Sequence, residues 1–313
     1  MSQTGGQHAV STVIPAFNSG ATIARALDSV IAQSLSPAEV LVVDDHSTDA
    51  TRDIVAQYAP KGVKLIALPS RLGAGGARNA GVEAASCDLI AFLDSDDEWA
   101  PTKLEKQVGL ITSDPRLSFV ACGANLISPQ GIDLGDIYRG QPVIAGKDSW
   151  KALLAQNFVA TPAVIVWRRH LVDLGGFDVN LKIGEDQDMW IRLALAGSLG
   201  YVPESLVRVH VRENSLSSWA LSDLLTFTLP MIERHISALR DRLTVSEIRQ
   251  IRGERLSRFG RVAYARGDLG NGFNLIARSM LLGYRPIESA WYLASAAPPV
   301  TWLKRQLGYG GHI

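Results

Sequence analysis

An acidic run directly follows an apolar segment in the stretch FLDSDDEW, residues 92–99. In an extended segment the side chains of Asp94 and Asp96 point to the same face, because the side-chain period of a strand is two. Two carboxylates held together favour a cation between them, and their hard oxygen atoms suit Mg²⁺ or Mn²⁺. The alternative is a solvated turn into the next helix, with Asp97 or Glu98 near the start of that helix.

Three further motifs admit either a chemical or a purely structural interpretation. The stretch VVDDHSTD, residues 42–49, is either an Asx-type turn or a strand end whose carboxylate accepts hydrogen bonds from a base or a ribose. Glu185 and Asp186 precede a predicted helix, where they either complement the helix dipole or supply a general base. His210 is a lone histidine on a predicted strand, and such a residue is usually a core or surface residue.

The glycine-rich stretch RLGAGGARNAG, residues 71–81, is close to a dinucleotide-binding fingerprint but departs from it. Arg78 occupies the position of the last glycine, and the stretch follows the third predicted strand rather than the first. Flexible backbone beside Arg71 and Arg78 still suits an anionic ligand. No Gly-Lys-Ser/Thr sequence occurs in the chain, which argues against a P-loop nucleotidase.

The elements that must position these residues are predicted by the hydrophobic pattern. Apolar, β-branched strands at 9–17, 38–45, 63–70 and 87–94 alternate with helical patterns. This order predicts an α/β fold with a mostly parallel sheet that helices cover on both faces. Ligands bind such sheets at the carboxyl ends of the strands. Asn18, Asp44-Asp45, Arg71 and the acidic run all stand at those ends, so their chemical interpretation gains weight.

The second half of the chain changes character. Strands are predicted at 117–127, 161–171 and 200–211, with a helix at 188–197. Strand patterns stop after residue 216, and helices at 247–266 and 273–282 with a turn at 266–272 predict a helical hairpin. We therefore expect two domains, at 1–218 and 219–313.

Composition limits the function classes. The chain has 313 residues, is 47% hydrophobic, and carries 31 basic and 31 acidic residues, so its net charge does not indicate nucleic-acid binding. Cys87 and Cys122 lack metal-site spacing and are expected to be buried free thiols in a reducing compartment. The N-terminus shows no signal-peptide pattern. The weakly polar stretch 287–303 is too short and broken to span a bilayer, but it could lie on one.

Taken in order, these motifs resemble those of the family 2 glycosyltransferases, inverting enzymes of GT-A fold. The resemblance covers about residues 9–218 and includes VIPAFNS, VLVVDDHSTD, GARNAG, LIAFLDSDDEW, LGGFD, GEDQDMWIRLA and VRVHVRENSLS. It implies a Rossmann-like GT-A catalytic domain at 1–218. Residues 219–313, which we expect to be a helical C-terminal region for a subunit or membrane-surface contact, fall outside the resemblance.

The resemblance implies a nucleoside diphosphate sugar as donor, most often a UDP-sugar, and a divalent cation, Mn²⁺ or Mg²⁺. The implied metal ligands are Asp96, Asp94 and His210, with Asp96 the direct ligand and Asp94 facing the ribose or a metal-bound water. Which of Arg71 and Arg78 contacts the nucleotide stays open. The full set of implied donor-binding residues is Pro15, Phe17, Asn18, Asp45, Arg71, Arg78, Asp94, Ser95 and Asp96.

The implied reaction is a single displacement. Asp186 takes a proton from an acceptor hydroxyl, whose oxygen attacks the anomeric carbon while the nucleoside diphosphate leaves, so an α-linked donor gives a β-linked product. An ungapped comparison with shorter family members puts Glu185 in the place of the base instead. The implied acceptor-binding residues are Gly175, Gly176, Glu185 and Trp190.

Two departures from the family pattern bear on function. His46 stands where a glycine is common, which leaves the geometry of that loop open. The Gln-x-x-Arg-Trp motif of processive members is absent, which favours transfer of one sugar.

The expected partners are a glycan or lipid-linked glycan acceptor and no nucleic acid. Residues 219–313 either pack as a subdomain or homo-oligomer contact, or touch anionic lipid through their arginines and the stretch 291–307. The resulting hypothesis is a cytoplasmic enzyme that extends a polyprenyl-linked glycan, peripheral on the inner face of the plasma membrane. The alternatives are a non-catalytic glycan-binding scaffold of the same fold and a sugar-nucleotide nucleotidylyltransferase, whose N-terminal Gly-x-Gly-Thr-Arg loop is missing.

Overall fold

The computed structural model describes residues 8–138, 143–211 and 220–295. The chain divides into two compact units. The first, called the sheet unit, comprises Met1–Leu153 and Asn157–Ser218; the second, called the helical unit, comprises Leu154–Gln156 and Trp219–Ile313. Within the described ranges, no helix is both long and apolar enough to cross a membrane.

The sheet unit is built on one mixed β-sheet. Its order is β3-β2-β1-β4-β8-β6-β9-β5, and β7 pairs with β6. The first four strands pair in parallel, as the alternating pattern predicts, whereas β8 runs antiparallel to both β4 and β6. The sheet as a whole is therefore mixed rather than mostly parallel. The strands are β1 Val10–Ala16, β2 Glu39–Asp44, β3 Val63–Ala67, β4 Leu89–Phe92, β5 Glu98–Trp99, β6 Leu117–Ile127, β7 Asp133–Asp136, β8 Ile165–Trp167 and β9 Ser198–His210.

Helices cover this sheet and bury their apolar sides against it. In α1, Ile23, Leu27 and Val30 recur at helical spacing and are fully buried. All six residues of β2 are buried, which explains its continuous apolar sequence. The helices of this unit are α1 Ile23–Ile31, α2 Thr51–Ala56, α3 Gly73–Ala84, α4 Lys103–Ser113, α5 Ser149–Ala155, which runs two residues into the helical unit, α6 Arg168–Asp173 and α7 Glu185–Ala196.

The predicted strand at 161–171 is wrong over most of its length. Only Ile165–Trp167 form β8, and α6 begins at Arg168. A 3₁₀ turn at Thr161–Ala163 precedes β8 and α6 follows it, so only three residues remain to pair with β4. Arg168 then donates a hydrogen bond from Nε to the carbonyl of Val82 on α3, 2.9 Å away, which fastens the start of α6. Cys87 and Cys122 are buried free thiols, as expected.

The helical unit contains no strand between residues 220 and 295. A capping box starts its longest helix, with Thr244 and Glu247 satisfying each other's backbone amides. The next helix begins at Leu269, where Asp268 accepts a hydrogen bond from the amide of Asn271, so the predicted turn at 266–272 is shorter than expected. The helices are α8 Leu221–Asp223, α9 Leu229–Ala238, α10 Val245–Ala265, α11 Leu269–Leu281 and α12 Pro286–Ser295, with a π-helical stretch at Leu224–Thr228.

Candidate active site

The carboxyl ends of β1 to β4 lie along one edge of the sheet, because these four strands are parallel neighbours. Just past those ends stand Asn18, Asp45, Arg71 and Asp94. The fold therefore brings together residues that are up to 76 positions apart in sequence. This edge is the candidate active site.

The loops after β1 and β2 are tied to each other. The amide of Asn18 donates to Oγ of Ser47 over 2.9 Å, and Oδ1 of Asn18 accepts from the amide of Thr48 over 2.9 Å. Asn18 and His46 both adopt left-handed backbone conformations, with φ of 47° and 67°. His46 thus takes the backbone conformation that a glycine at this position would favour.

Asp45 organises the next loop along the edge. It is only 4% exposed, and its two carboxylate oxygens accept from the amides of Leu72 and Gly73 at 2.6 and 2.9 Å. The guanidinium of Arg71 lies 3.8 Å from the ring centroid of Phe17, a cation–π contact at the end of β1. Pro15 is partly buried within β1 beside Val43 of β2. The predicted base- and ribose-binding residues are thus gathered at one place.

The acidic run is fastened on both sides. Ser95 shares a 2.7 Å hydrogen bond with Ser19 through their hydroxyl oxygens. The backbone carbonyl of Asp96 accepts from Nη2 of Arg25 over 2.5 Å. The side chain of Asp94 keeps 30% of its surface exposed, so its carboxylate remains accessible at the edge.

Asp97 and Glu98 are not helix-entry residues, which corrects the structural alternative for the acidic run. Oδ1 of Asp97 accepts from the amide of His210 over 3.0 Å, and Oε1 of Glu98 lies 2.5 Å from Nε2 of His210. Glu98 belongs to β5, which pairs antiparallel with β9, and α4 begins only at Lys103. The β5–β9 pairing therefore places His210 beside the acidic run.

The charges of this region shift the pKa of two groups. Burial, followed by the charges of Asp94 and Asp96, raises the pKa of Asp97 well above its usual range. Burial, followed by the charge of Arg25, lowers the pKa of His210 although Glu98 opposes the change. The imidazole is thereby favoured in its neutral form, which is the form that can bind a metal.

The fit of this region to a divalent cation rests on the carboxylate pair. Asp94 and Asp96 offer hard oxygen ligands, and their crowding with Asp97 is unfavourable without a positive charge nearby. Across the ranges that the structure describes, however, no three His, Cys, Asp or Glu side chains are grouped as a metal site. Two carboxylates suit a cation whose remaining ligands are diphosphate oxygens and water. The three-ligand set that adds His210 stays a prediction.

Arg78 joins the acidic run to the start of α7. It is only 5% exposed, and its Nη2 and Nη1 donate to Oδ1 of Asp94 at 3.0 Å and to Oε1 of Glu185 at 2.8 Å. Burial alone would lower the pKa of Arg78, but the two carboxylates raise it above its ordinary value. Buried charge-assisted bonds of this kind are short and directional, so Arg78 fixes the two motifs relative to each other.

Asp186 is oriented by two donors. Its Oδ2 accepts from Nδ2 of Asn157 at 2.9 Å, and its Oδ1 accepts from the amide of Gln187 at 2.6 Å. Burial, followed by the charge of Glu185, raises the pKa of Asp186 to about 6, although Arg78 opposes the change. Glu185 and Asp186 are themselves the first residues of α7 rather than residues preceding the helix. A carboxylate with this pKa is suited to accept a proton near neutral pH.

The predicted acceptor loop is a fastened turn after α6. Gly175 and Gly176 both have positive φ, at 78° and 74°, and a Cβ on Gly176 would lie 2.6 Å from Oδ1 of Asn79. Nη2 of Arg192 donates to the carbonyl of Gly176 over 2.8 Å. The positive φ and the close approach of Asn79 therefore favour glycine at position 176, and a role in acceptor binding stays a prediction.

Trp190 does not lie at the acceptor surface. Its side chain is fully buried, stacks on Phe119 at 5.9 Å between ring centroids, and donates from Nε1 to the carbonyl of Val159 over 3.2 Å. It lies one turn beyond Asp186 on α7 and faces the core. This burial is inconsistent with direct acceptor contact, so Trp190 supports α7 from within.

Sequence reasoning missed Arg25, Asn157 and the partnership of Glu98 with His210. The contacts that give these residues a place in the site span 71, 29 and 112 positions. Neither Arg25 nor Asn157 belongs to a motif with a recognisable spacing. Only the alternation of elements could have suggested which segments meet.

Residues 11–162 match the family model described as "Glycosyl transferase family 2". TuaG from Bacillus subtilis, named as a teichuronic acid biosynthesis glycosyltransferase, is 30% identical over 231 residues, which cover 72% of this chain and 88% of that protein. The chain belongs to glycosyl transferase family 2. It is accordingly a glycosyltransferase, as the resemblance implied.

Two further relatives are similar over about two thirds of this chain. The succinoglycan biosynthesis protein ExoO of Rhizobium meliloti is 34% identical over 218 residues, which cover 66% of this chain and 62% of that protein. WfgD of Escherichia coli, named as a UDP-Glc:alpha-D-GlcNAc-diphosphoundecaprenol beta-1,3-glucosyltransferase, is 29% identical over 217 residues, which cover 69% and 82% of the two chains.

Solved structures of S. aureus TarS match this chain along most of its length. S. aureus TarS 1–349 in complex with UDP-GlcNAc aligns with a TM-score of 0.58 at 20% identity, covering 96% of this chain and 92% of that one. The same protein in complex with UDP aligns with a TM-score of 0.56. The predicted GT-A fold with a helical C-terminal region is thereby confirmed.

Proposed function

We propose that this enzyme moves one sugar from a UDP-sugar to a hydroxyl of a lipid-linked glycan acceptor in cell-surface polysaccharide biosynthesis. The observation that carries the proposal is that buried Arg78 forms ion pairs with two of the motifs. This buried residue holds the donor-side Asp94 and the acceptor-side Glu185 at 3.0 and 2.8 Å, so both halves of a transfer site meet. The names of the relatives, which include an undecaprenol-linked acceptor and two surface polysaccharides, support the choice of acceptor.

The donor side is assigned to the β1–β3 edge. Phe17 and Arg71 form a stacked pair that suits a nucleobase, while Asp45 is held beside them by the amides of Leu72 and Gly73. Arg71 is exposed and Arg78 is buried between two carboxylates, so we assign the nucleotide contact to Arg71. The UDP and UDP-GlcNAc complexes of TarS support a uridine nucleotide as the carrier.

The acidic run would hold the cation, with Asp96 and Asp94 as its carboxylate ligands and His210 as the third. Bound there, Mg²⁺ or Mn²⁺ would neutralise the charge of the departing diphosphate. Ser19 and Arg25 keep the run in place through Ser95 and the carbonyl of Asp96. Glu98 holds the imidazole of His210 by its Nε2, which leaves Nδ1 for a ligand.

Asp186 is assigned as the base. Its carboxylate takes the proton of the acceptor hydroxyl as that oxygen attacks the anomeric carbon and the bond to the nucleoside diphosphate breaks. Asn157 and the amide of Gln187 orient the carboxylate for this step. Glu185 is a poorer candidate because its Oε1 is already paired with the buried guanidinium of Arg78.

The two candidate bases can be separated by substitution. Asp186→Asn keeps the shape and removes the proton acceptor, so transfer should fall by roughly 10²–10⁴-fold. Glu185→Gln keeps a side-chain oxygen that can accept the hydrogen bond from Arg78, and it leaves Asp186 in place, so transfer should stay within about tenfold of wild type. Initial rates of nucleotide release with saturating donor measure both. The reverse ranking would assign the base to Glu185.

A donor panel tests the substrate class. Nucleotide release is measured with UDP-, GDP- and dTDP-sugars in the presence of Mn²⁺ and a polyprenyl-linked acceptor. We expect turnover with a UDP-sugar that requires the acceptor. Turnover restricted to GDP- or dTDP-sugars would reject the uridine assignment, and equal turnover with a free oligosaccharide would reject the need for a lipid carrier.

A further inference from the structure

One corner of the helical unit exposes large apolar side chains. Leu281 at the end of α11 is 87% exposed, and Ile287 and Trp291 on α12 are 84% and 70% exposed. Ile287 and Trp291 are one helical turn apart and therefore share a face. Neighbouring apolar residues of α11, such as Leu275 and Ile276, are buried, so the helix packs normally elsewhere. Adjacent exposed groups of this size usually mark a contact surface.

Beside this apolar surface lies a cleft that contains two arginines. It has a volume of about 480 Å³ and lies between the first turns of α10 and the turn that joins α11 to α12. Gly283 and Arg285 in that turn have positive φ, at 83° and 37°, so the turn is sharp. The cleft is lined by Ser246, Arg249, Gln250, Leu282, Gly283, Tyr284 and Arg285.

Exposed apolar residues stand close in sequence to residues that line the cleft. Exposed Val245 precedes the lining residue Ser246, Leu281 precedes Leu282, and Ile287 follows Arg285 by two positions. We call this combined surface the α11–α12 corner, formed by Val245, Arg249, Leu281, Arg285, Ile287 and Trp291. It combines two arginines of the cleft lining with four exposed apolar side chains.

The helices that form the corner carry a net positive charge. From Val245 to Ser295 the sequence has eight arginines and four acidic residues. Two of these arginines are paired within the unit, Arg252 with Glu233 and Arg258 with Glu254. Arg285 makes an exposed pair with Glu288, which solvent weakens. The described residues offer no ion pair to exposed Arg249.

From this arrangement we infer that the α11–α12 corner docks on an anionic lipid surface. Arg249 and Arg285 would bind a lipid phosphate in the cleft. The four apolar side chains of the corner would insert between the headgroups and the acyl chains. Apolar side chains with flanking arginines and a tryptophan are typical of interfacial binding. A second copy of the chain is disfavoured, because a two-fold contact pairs the same patch on both subunits and would bring two positively charged patches together.

The inference deepens the proposed function, since a lipid-linked acceptor explains why the enzyme would sit on a membrane. The inference rests on the proposed function only for the reason why the enzyme would be located at a membrane. The lipid-binding chemistry of the corner does not depend on that function. The sequence-based lipid contact at 291–307 extends past the described residues, so only its first part bears on the corner.

The test is flotation of the full chain with vesicles of phosphatidylcholine, with and without phosphatidylglycerol. Wild type should float with the anionic vesicles. Ile287→Ser/Trp291→Ser should weaken binding by about tenfold or more, because two apolar side chains no longer enter the bilayer. Arg249→Gln/Arg285→Gln should weaken binding to anionic vesicles by roughly fivefold for each arginine.

Matched controls remove similar side chains elsewhere. Val172→Ser/Val179→Ser removes two exposed apolar residues of the sheet unit, and Arg116→Gln/Arg169→Gln removes two of its exposed charges. Both controls should float like wild type, and circular dichroism should show that every variant is folded.

The inference would be overturned if wild type did not float with anionic vesicles, or if the corner and control variants lost vesicle binding equally. It would also be overturned if Ile287→Ser/Trp291→Ser had a lower sedimentation mass than wild type, because the corner would then be a self-association surface. The proposed function fails separately. Asp186→Asn should float normally while losing transfer. A wild-type protein that floats but shows no transfer would reject the proposed function and would still support the lipid-binding corner.

Discussion

At the residue scale, acidic side chains close together in sequence differ because their partners differ. Asp94 remains accessible and pairs with Arg78, Asp97 is buried against the amide of His210, and Glu98 holds the imidazole of the same residue. Asp186 is buried with two hydrogen-bond donors, and its pKa rises to about 6. Charge alone therefore does not assign a role to a carboxylate, whereas burial and hydrogen-bond partners do.

The raised pKa of Asp186 gives a pH dependence with a definite sign. The base must be deprotonated to act, so kcat/KM should fall as the pH drops through about 6. Asn157→Ala removes a hydrogen bond that favours the charged form, so the pKa should rise and the acid limb should move to higher pH by up to about one unit. A pH profile of kcat/KM measures the move.

The groups that face Asp186 determine the control for this measurement. Glu185 raises its pKa, whereas Arg78, Asn157 and the amide of Gln187 lower it. Asn180→Ala removes an asparagine that bonds only Asp178 outside the site, so its acid limb should coincide with that of wild type. An acid limb that does not move in Asn157→Ala would assign it to a group other than Asp186.

At the element scale, the glycine-rich stretch builds α3 rather than a phosphate-binding loop. A Cβ on Gly75 would lie 3.3 Å from Cγ of Glu185, and one on Gly81 would lie 2.3 Å from Cγ1 of Val13. These glycines let α3 approach α7 at one end and β1 at the other. The same helix carries Arg78 and Asn79, which fasten the acidic run and the turn after α6. The glycines therefore serve close packing, which places both side chains.

Two helical glycines give a matched test of that packing. Gly81→Ala forces a methyl group against Val13 and Val43 and should lower the free energy of unfolding by about 1–3 kcal/mol. Gly109→Ala on α4 meets no atom within 4 Å, so it should raise that free energy by about 0.5–1 kcal/mol through its helix propensity. Urea denaturation followed by circular dichroism compares the two. Equal effects would show that α3 does not approach β1 closely.

At the scale of the whole molecule, the two units divide the predicted features between them. Every predicted site residue lies in the sheet unit, whereas the α11–α12 corner lies in the helical unit. A ligand that binds the folded site should stabilise the unit that holds it, because binding to the folded form alone shifts the unfolding equilibrium.

A thermal-shift measurement uses that linkage to test the cation independently of turnover. UDP with Mn²⁺ at about 100 times its Kd should add about 2.7 kcal/mol and raise the melting temperature by several degrees. UDP with EDTA should raise it less, and Asp96→Asn should lose the metal-dependent part. Asp133→Asn, at an exposed aspartate of β7, is the control and should respond like wild type. A shift that EDTA and Asp96→Asn both leave unchanged would reject the cation site.

The sequence by itself determined the first four strands and where they end. Alternation of buried apolar runs with helical patterns predicted β1 to β4, and parallel pairing requires Asn18, Asp45, Arg71 and Asp94 to share an edge. Local periodicity carries that information, because it depends only on which side of each element is buried.

Only the tertiary structure decided the partners of the charged groups. The bond of Arg78 to Glu185 spans 107 positions, that of Asn157 to Asp186 spans 29, and that of Glu98 to His210 spans 112. Trp190 was assigned to the acceptor from its motif, yet its place on α7 puts it in the core. Such contacts follow from how helices and strands pack against one another. A hydrophobic pattern that repeats every two or four residues does not specify that packing.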